Sequence, residues 1–115
     1  MTIRNRVLVS AHVPGFAENN QAGDAYINYH RQYAASGVGL QLTGGTPVHR
    51  SGLLATTTDG LWNLDDSIIP GYQRLADAVH QEGGRILAQL AHSGGTVRID
   101  LPGHQSWSAL SLIHI

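Results

Sequence analysis

The sequence predicts an α/β fold, the N-terminal part (about three βα units) of a TIM (β/α)8 barrel. Short apolar runs alternate with segments of helical periodicity, which indicates parallel strands joined by right-handed crossovers. Long segments follow the apolar runs, as in barrels that carry their chemistry at the carboxyl ends of the strands. A complete barrel needs about 250 residues, so a chain of 115 residues holds about three of its eight units.

Three apolar runs predict the strands. None shows strict alternation of polar and apolar residues, which is typical of strands buried on both faces in a parallel sheet. The predicted strands cover residues 7–11, 38–43 and 85–90.

Two amphipathic segments predict the helices. Apolar and aromatic residues recur every three or four positions in residues 24–36, and Gly37 follows as a C-terminal cap. The same spacing recurs in residues 70–82, where Pro70 stands in the first turn, a position that proline favours. A pair of glycines, Gly83 and Gly84, ends this second helix.

Composition excludes several classes of protein. Apolar residues make up 42% and charged residues 13% of the chain, which argues against wholesale disorder. A net charge of −1 argues against a nucleic-acid partner. The sequence has no cysteine, so an iron–sulfur or thiolate metal site within it is excluded, and histidine spacing predicts no metal site either. We expect no membrane partner and a cytoplasmic location, because we find neither a long apolar run nor a signal peptide.

The last six residues stand apart from the rest. Residues 110–115 can be back-translated into a string that resembles a transposon-end sequencing adapter. We therefore expect one partial barrel domain over residues 1–109 and a non-native tail over residues 110–115. The alternative is a natural apolar terminus.

Four motifs follow one another along the chain: NRVLVSAH (residues 5–12), GVGLQLTGGT (37–46), IPGYQRLADAVH (69–80) and GGRILAQLAHSG (83–94). In this order they resemble the old yellow enzyme (NADH:flavin oxidoreductase) family, and its 2,4-dienoyl-CoA reductase branch in particular. The resemblance implies a flavoprotein oxidoreductase with bound FMN, which passes hydride from NAD(P)H to an activated C=C bond or a related small-molecule substrate. It allows an iron–sulfur cluster and a homo-oligomer in the complete protein, and it places the catalytic acid downstream of this segment.

The resemblance also implies a set of flavin contacts. Gln89, at the end of the third strand, offers an amide donor and acceptor side by side to the pyrimidine edge of the flavin. Gly45 allows a flat ring to approach the main chain. The backbone of the segment after the first strand passes under the flavin; this segment is Ser10, Ala11, His12 and Val13. The alternatives are a glutamine satisfied by backbone groups, an ordinary strand end and a simple glycine turn.

His92 is predicted to shape the site rather than to donate a proton. The alternative is a structural histidine that is hydrogen-bonded to the backbone. Many relatives have an arginine where Gly95 stands, so the contacts of that arginine with substrate are in doubt here. We expect His30 and His80 to be surface or packing residues, and Asp65 or Asp66 to cap a turn before Pro70.

Two further readings remain open. One is a non-catalytic α/β module that binds a protein partner through its open sheet edge. The other is a lyase barrel with a Schiff-base lysine, but the sequence contains no lysine to carry that chemistry. Under the preferred reading, residues 1–115 alone are inactive, bind FMN poorly and tend to aggregate through apolar edges.

Overall fold

A computed structural model describes residues 2–53 and 59–94. The strands form one parallel sheet in the order β1-β2-β3. The elements are β1 (Leu8–Val9), α1 (Asp24–Ala35), β2 (Leu40–Pro47), α2 (Ile69–Gln81) and β3 (Arg85–Ala91), with 3-10 turns at Arg50–Gly52 and Asp66–Ile68. The predicted α/β fold with parallel crossovers is therefore confirmed, whereas residues 110–115 lie outside the described part.

The strand boundaries differ most from the prediction at the carboxyl ends of β1 and β2. β1 stops at Val9 because the next carbonyl, that of Ser10, accepts a hydrogen bond from the His12 ring instead of continuing the ladder. The second predicted strand ends at Thr43, before Gly44 and Gly45, but β2 continues to Pro47. Gly44 and Gly45 do not form a turn. The strand instead has a bulge between Leu42 and Gly45 and continues to pair with β3 beyond it.

Both helices end in the same glycine turn, as predicted. After α1 the amide of Gly37 bonds to the carbonyl of Ala34, and the amide of Val38 bonds to that of Tyr33. This pair of bonds defines a Schellman motif, and Gly37 takes the left-handed conformation that the motif requires, with φ = +105°. The turn after α2 repeats both bonds around Gly83, where φ is +74°.

The helices pack side by side on one face of the sheet. Their buried positions recur at helical spacing, and the side chain of Ile86 on β3 packs against them. The core is formed by Ala22, Tyr26, Ile27, Ala34, Leu61, Ile68, Leu75 and Val79.

The opposite face of the sheet is not covered by the described residues. Strand register places Leu42 and Leu87 on this face, and farther along it places Gly45 and Gln89 together. Leu87 is 46% exposed, and Leu8 of β1 is 52% exposed. In a closed barrel this face would be the interior. No helix within residues 2–53 and 59–94 has the length and apolar character needed to cross a bilayer.

Candidate functional site

The carboxyl ends of β2 and β3 meet at a bulge. Between two register pairs, β2 has two residues, Thr43 and Gly44, where β3 has only Ala88. The Thr43 hydroxyl bridges the bulge by accepting a hydrogen bond from the backbone amide nitrogen of Gln89 at 3.2 Å. Bulges of this kind re-aim the residues that follow them, and here they bring Gly45 opposite Gln89.

The Gln89 side chain lies beside Gly45. A Cβ atom built on Gly45 would stand 3.5 Å from Gln89 Oε1 and 3.3 Å from the Cβ of Ala91. Gln89 is exposed at the uncovered face, and its side-chain amide has no hydrogen bond to any residue in 2–53 or 59–94. The amide therefore presents a donor and an acceptor next to a strip of backbone without a side chain.

The segment after β1 packs on the other glycine of the pair. A Cβ atom on Gly44 would stand only 2.6 Å from the carbonyl oxygen of His12 and 2.7 Å from Val13 Cγ2. Ser10 is exposed and Ala11 is half-buried. The strand ends thus converge: Val13 meets β2 at Gly44, and β2 meets β3 at Gly45.

His92 belongs to a hydrogen-bonded chain that the sequence did not indicate. Its Nδ1 accepts from the backbone amide of Gly94 at 3.0 Å, so in the neutral ring Nε2 carries the proton and donates to Ser51 Oγ at 2.9 Å. The Ser51 hydroxyl in turn lies 2.7 Å from His49 Nδ1. A Cβ atom on Gly52 would meet the His92 ring at 2.9 Å, so the turn packs tightly under the ring.

The hydrogen bonds of His92 bear on both interpretations of this residue, as a structural histidine and as a residue that shapes the site. The ring is hydrogen-bonded to backbone, as a structural histidine would be, and it also ties the loop after β2 to the end of β3. Ser51 and His92 are 41 positions apart in the chain. Ser51 lies in the 3-10 turn Arg50–Gly52, which His49 caps.

His30 lies in the interior rather than on the surface. It is 0% exposed, and its Nδ1 donates to Gln41 Oε1 at 2.9 Å while Gln41 Nε2 donates to the His30 carbonyl at 3.0 Å. Burial is the main cause that lowers the pKa of His30, so its ring is neutral at neutral pH. His80, by contrast, is exposed, and Asp65 caps the turn before α2 by accepting from the Ser67 amide, as expected.

Neutral groups also lie on the helix side of the bulge. The Tyr72 hydroxyl donates to Thr46 Oγ1 at 3.3 Å, and Thr46 donates to the carbonyl of Gly44. Desolvation raises the pKa of Tyr26 and of Tyr72, so both phenols keep their protons. Within residues 2–53 and 59–94 no three acidic or histidine side chains come together as metal ligands.

Comparison with known proteins identifies the relatives of the chain. It is 36% identical over 104 residues to a metal reductase of Desulforamulus reducens, a match covering 90% of this chain and 15% of that protein. It is also 36% identical over 105 residues to the N,N-dimethylglycine/sarcosine dehydrogenase of Chromohalobacter salexigens, with 87% and 15% covered. The chain therefore spans about a seventh of the length of these relatives.

A solved structure agrees with the fold. The old yellow enzyme homologue from Zymomonas mobilis superposes with a TM-score of 0.72 at 26% identity, over 82% of this chain and 26% of that one. Old yellow enzymes are TIM barrels, so the predicted fold class is confirmed. Residues 1–112 also match the family described as NADH:flavin oxidoreductase / NADH oxidase. The resemblance seen in the four motifs is thus confirmed, and the chain belongs to the NADH:flavin oxidoreductase / NADH oxidase family.

Proposed function

We propose that this chain forms the N-terminal side of the flavin site in an FMN-dependent oxidoreductase that uses NAD(P)H. Its substrate is a small molecule with an activated C=C bond or a related acceptor group. Membership of the family supports the reaction class. The observation that carries the proposal is the Gln89 side-chain amide beside Gly45, exposed at the open end of the strands and without a hydrogen bond to the described residues.

The residues at this end fit a flavin. A flavin ring is flat, and its pyrimidine edge alternates hydrogen-bond donors and acceptors. The amide of Gln89 offers one of each within the same plane. Gly45 has no side chain to hold a ring away from the strand, and its absent Cβ lies on the same face as Gln89 Oε1.

A bound FMN would supply the hydride-transfer chemistry between NAD(P)H and the substrate. The chain's own residues bind and orient: Gln89 holds the pyrimidine edge, and Gly45 admits the ring. The backbone of Ser10, Ala11, His12 and Val13 supports the ring from the β1 side. His92 shapes the mouth by holding the loop after β2 through Ser51.

Several parts of the reaction lie outside this proposal. The phosphate-binding loops of such barrels follow the seventh and eighth strands. The resemblance places the catalytic acid downstream of this segment as well, and an iron–sulfur cluster, a homo-oligomer and a cytoplasmic location stay predictions. In a closed barrel the next strand would pair with the edge of β3, and the uncovered face would line the interior. This explains their exposure without a protein partner.

FMN titration of the complete protein tests the proposal. Gln89→Leu removes the amide and keeps the bulk of the side chain. We expect its Kd for FMN to rise about tenfold to a hundredfold, because each lost hydrogen bond is worth about 1 kcal/mol or somewhat more. Gln73→Leu makes the same change on the exposed surface of α2 and is the matched control.

Fluorescence quenching of FMN on binding gives the Kd directly. A wild-type protein that purifies and refolds without any affinity for FMN would overturn the proposal. Equal affinities for wild type and Gln89→Leu would remove Gln89 from the site while leaving the family reaction in place.

A further inference from the structure

A hydrogen-bonded aromatic cluster joins α1 to the segment after β1. His12 Nε2 is hydrogen-bonded to the Tyr29 hydroxyl, and the two rings meet edge to face at 5.6 Å. Phe16 packs against Tyr29 from the same segment, with ring centroids 5.5 Å apart. On the helix itself, the Tyr33 hydroxyl lies 3.4 Å from that of Tyr29.

The direction of these bonds follows from their acceptors. His12 Nδ1 lies 3.0 Å from the carbonyl oxygen of Ser10, and a carbonyl can only accept. Nδ1 therefore carries the proton of the neutral ring, and Nε2 accepts from Tyr29. Desolvation and the neighbouring Tyr33 raise the pKa of Tyr29 to about 12, so the phenol remains a donor at neutral pH.

The same histidine is fixed at its backbone. Its carbonyl oxygen and Val13 Cγ2 lie where a side chain of Gly44 would be, against the bulge of β2. The His12 ring is thus hydrogen-bonded both to Tyr29 on α1 and to the carbonyl of Ser10. The main chain of His12 packs against Gly44. No other side chain in the described part ties the Ser10–Val13 backbone to a helix through a hydrogen bond.

We propose that Tyr29 is a positioning residue for the flavin site, acting through the Nδ1–H tautomer of His12 on the backbone of Ser10 to Val13. The inference deepens the proposed function and rests on it, because that backbone is the predicted support of the flavin ring. Tyr29 itself is half-buried on α1 and needs no contact with FMN. Removing the Tyr29 hydroxyl would weaken FMN binding because the backbone surface becomes less preorganised, not because a bond to FMN is lost.

Tyr29→Phe and Tyr33→Phe form a matched pair on one helix face. Both remove a hydroxyl and keep the ring, but only Tyr29 contacts His12. We expect Tyr29→Phe to raise the Kd for FMN about fivefold, as for the loss of one positioning hydrogen bond. We expect Tyr33→Phe to change it less than about twofold.

Long-range 1H–15N NMR spectra of the histidine side chains give a readout that needs no flavin. In the wild type His12 is expected as the Nδ1–H tautomer, and Tyr33→Phe keeps it. In Tyr29→Phe the freed Nε2 takes up the proton in part of the molecules, so the Nε2–H form appears. Global destabilisation alone would not change the tautomer of the folded protein.

The outcomes separate this inference from the proposed function. If the wild type binds FMN and Tyr29→Phe binds it equally well, only the role of Tyr29 is overturned. An unchanged His12 tautomer in Tyr29→Phe overturns it as well. If the wild type does not bind FMN, the proposed function fails, and the inference fails with it.

Discussion

At the amino ends of the strands both helices return to the sheet through the same glycine turn, whereas the loops at the carboxyl ends are held by different side chains. Gly37 and Gly83 make equivalent pairs of backbone bonds. At the other end His12 holds the segment after β1, and Ser51 with His92 holds the loop after β2.

Arg4 joins the two turns at the amino end. Its guanidinium donates to the carbonyl of Glu82 at 2.8 Å and to that of Val38 at 2.9 Å, and it also reaches the carbonyl of Ala34. The carbonyls of Ala34 and Glu82 lie at the C-terminal ends of α1 and α2, where a cation is favoured. The amino end therefore holds the units together by repeated backbone contacts, while the carboxyl end varies its side chains, as expected where barrels place their sites.

The largest expected effect on stability comes from a substitution at the carboxyl ends of the strands, in the pair Gly44 and Gly45. Gly44→Ala would put a Cβ atom 2.6 Å from the backbone oxygen of His12, which cannot move without displacing the segment after β1. We expect the free energy of unfolding to fall by about 3 kcal/mol, the upper range for an overpacked site. Urea unfolding followed by circular dichroism measures it.

Gly45→Ala is the control on the next residue. Its Cβ atom would stand 3.3 Å from the Cβ of Ala91, so neighbours need to move only slightly, and we expect a cost below about 1 kcal/mol. FMN affinity should nevertheless fall, because the new methyl group would stand on the face that the flavin ring approaches in the proposed site. Similar stabilities for the two variants would contradict the packing described for Gly44.

The second largest expected effect on stability comes from a substitution at the amino ends of the strands. Arg4→Met keeps the apolar stem but removes the charge-assisted hydrogen bonds to Glu82, Val38 and Ala34. We expect a loss of about 2 kcal/mol in stability, with the Kd for FMN of the folded protein unchanged. Arg6→Met, at an exposed position close by, should cost less than about 0.5 kcal/mol. A weaker FMN affinity in Arg4→Met would show that the two ends are not separable.

The turns at the amino ends of the strands could be predicted from the sequence, because they depend on residues close together in the chain. Apolar spacing identified both helices, and Gly37 and Gly83 identified their ends, since few other residues take a positive φ. The parallel order of the strands followed from the alternation of elements.

The carboxyl end could be predicted only in part. The motifs brought attention to Gly45 and Gln89, which the structure places side by side. The bulge was missed because a glycine pair after a strand is typical of a turn, and pairing with β3 decides otherwise. The contact of Ser51 with His92 was missed because its partners are far apart in the chain. Such contacts depend on tertiary packing, which periodicity does not report.

The smallest expected effect concerns the layer between the two ends, where His30 bonds to Gln41. Desolvation lowers the folded-state pKa of His30 below its ordinary value of 6.5, so the unfolded chain binds this proton more readily. The contribution of the neutral ring to stability is full well above pH 6.5 and is lost as the pH falls. Its Nε2 is buried without a hydrogen-bond partner in the described part, so no acceptor there would stabilise an added proton.

From about pH 6.5 downwards this one group should lower the free energy of unfolding progressively. Urea unfolding across this range measures the slope. His30→Gln, with no titrating ring, should lose this part of the slope, although it is less stable at every pH. His80→Gln on the exposed surface of α2 should keep it. If His30→Gln keeps the wild-type slope as His80→Gln does, His30 is not the source of the acid sensitivity.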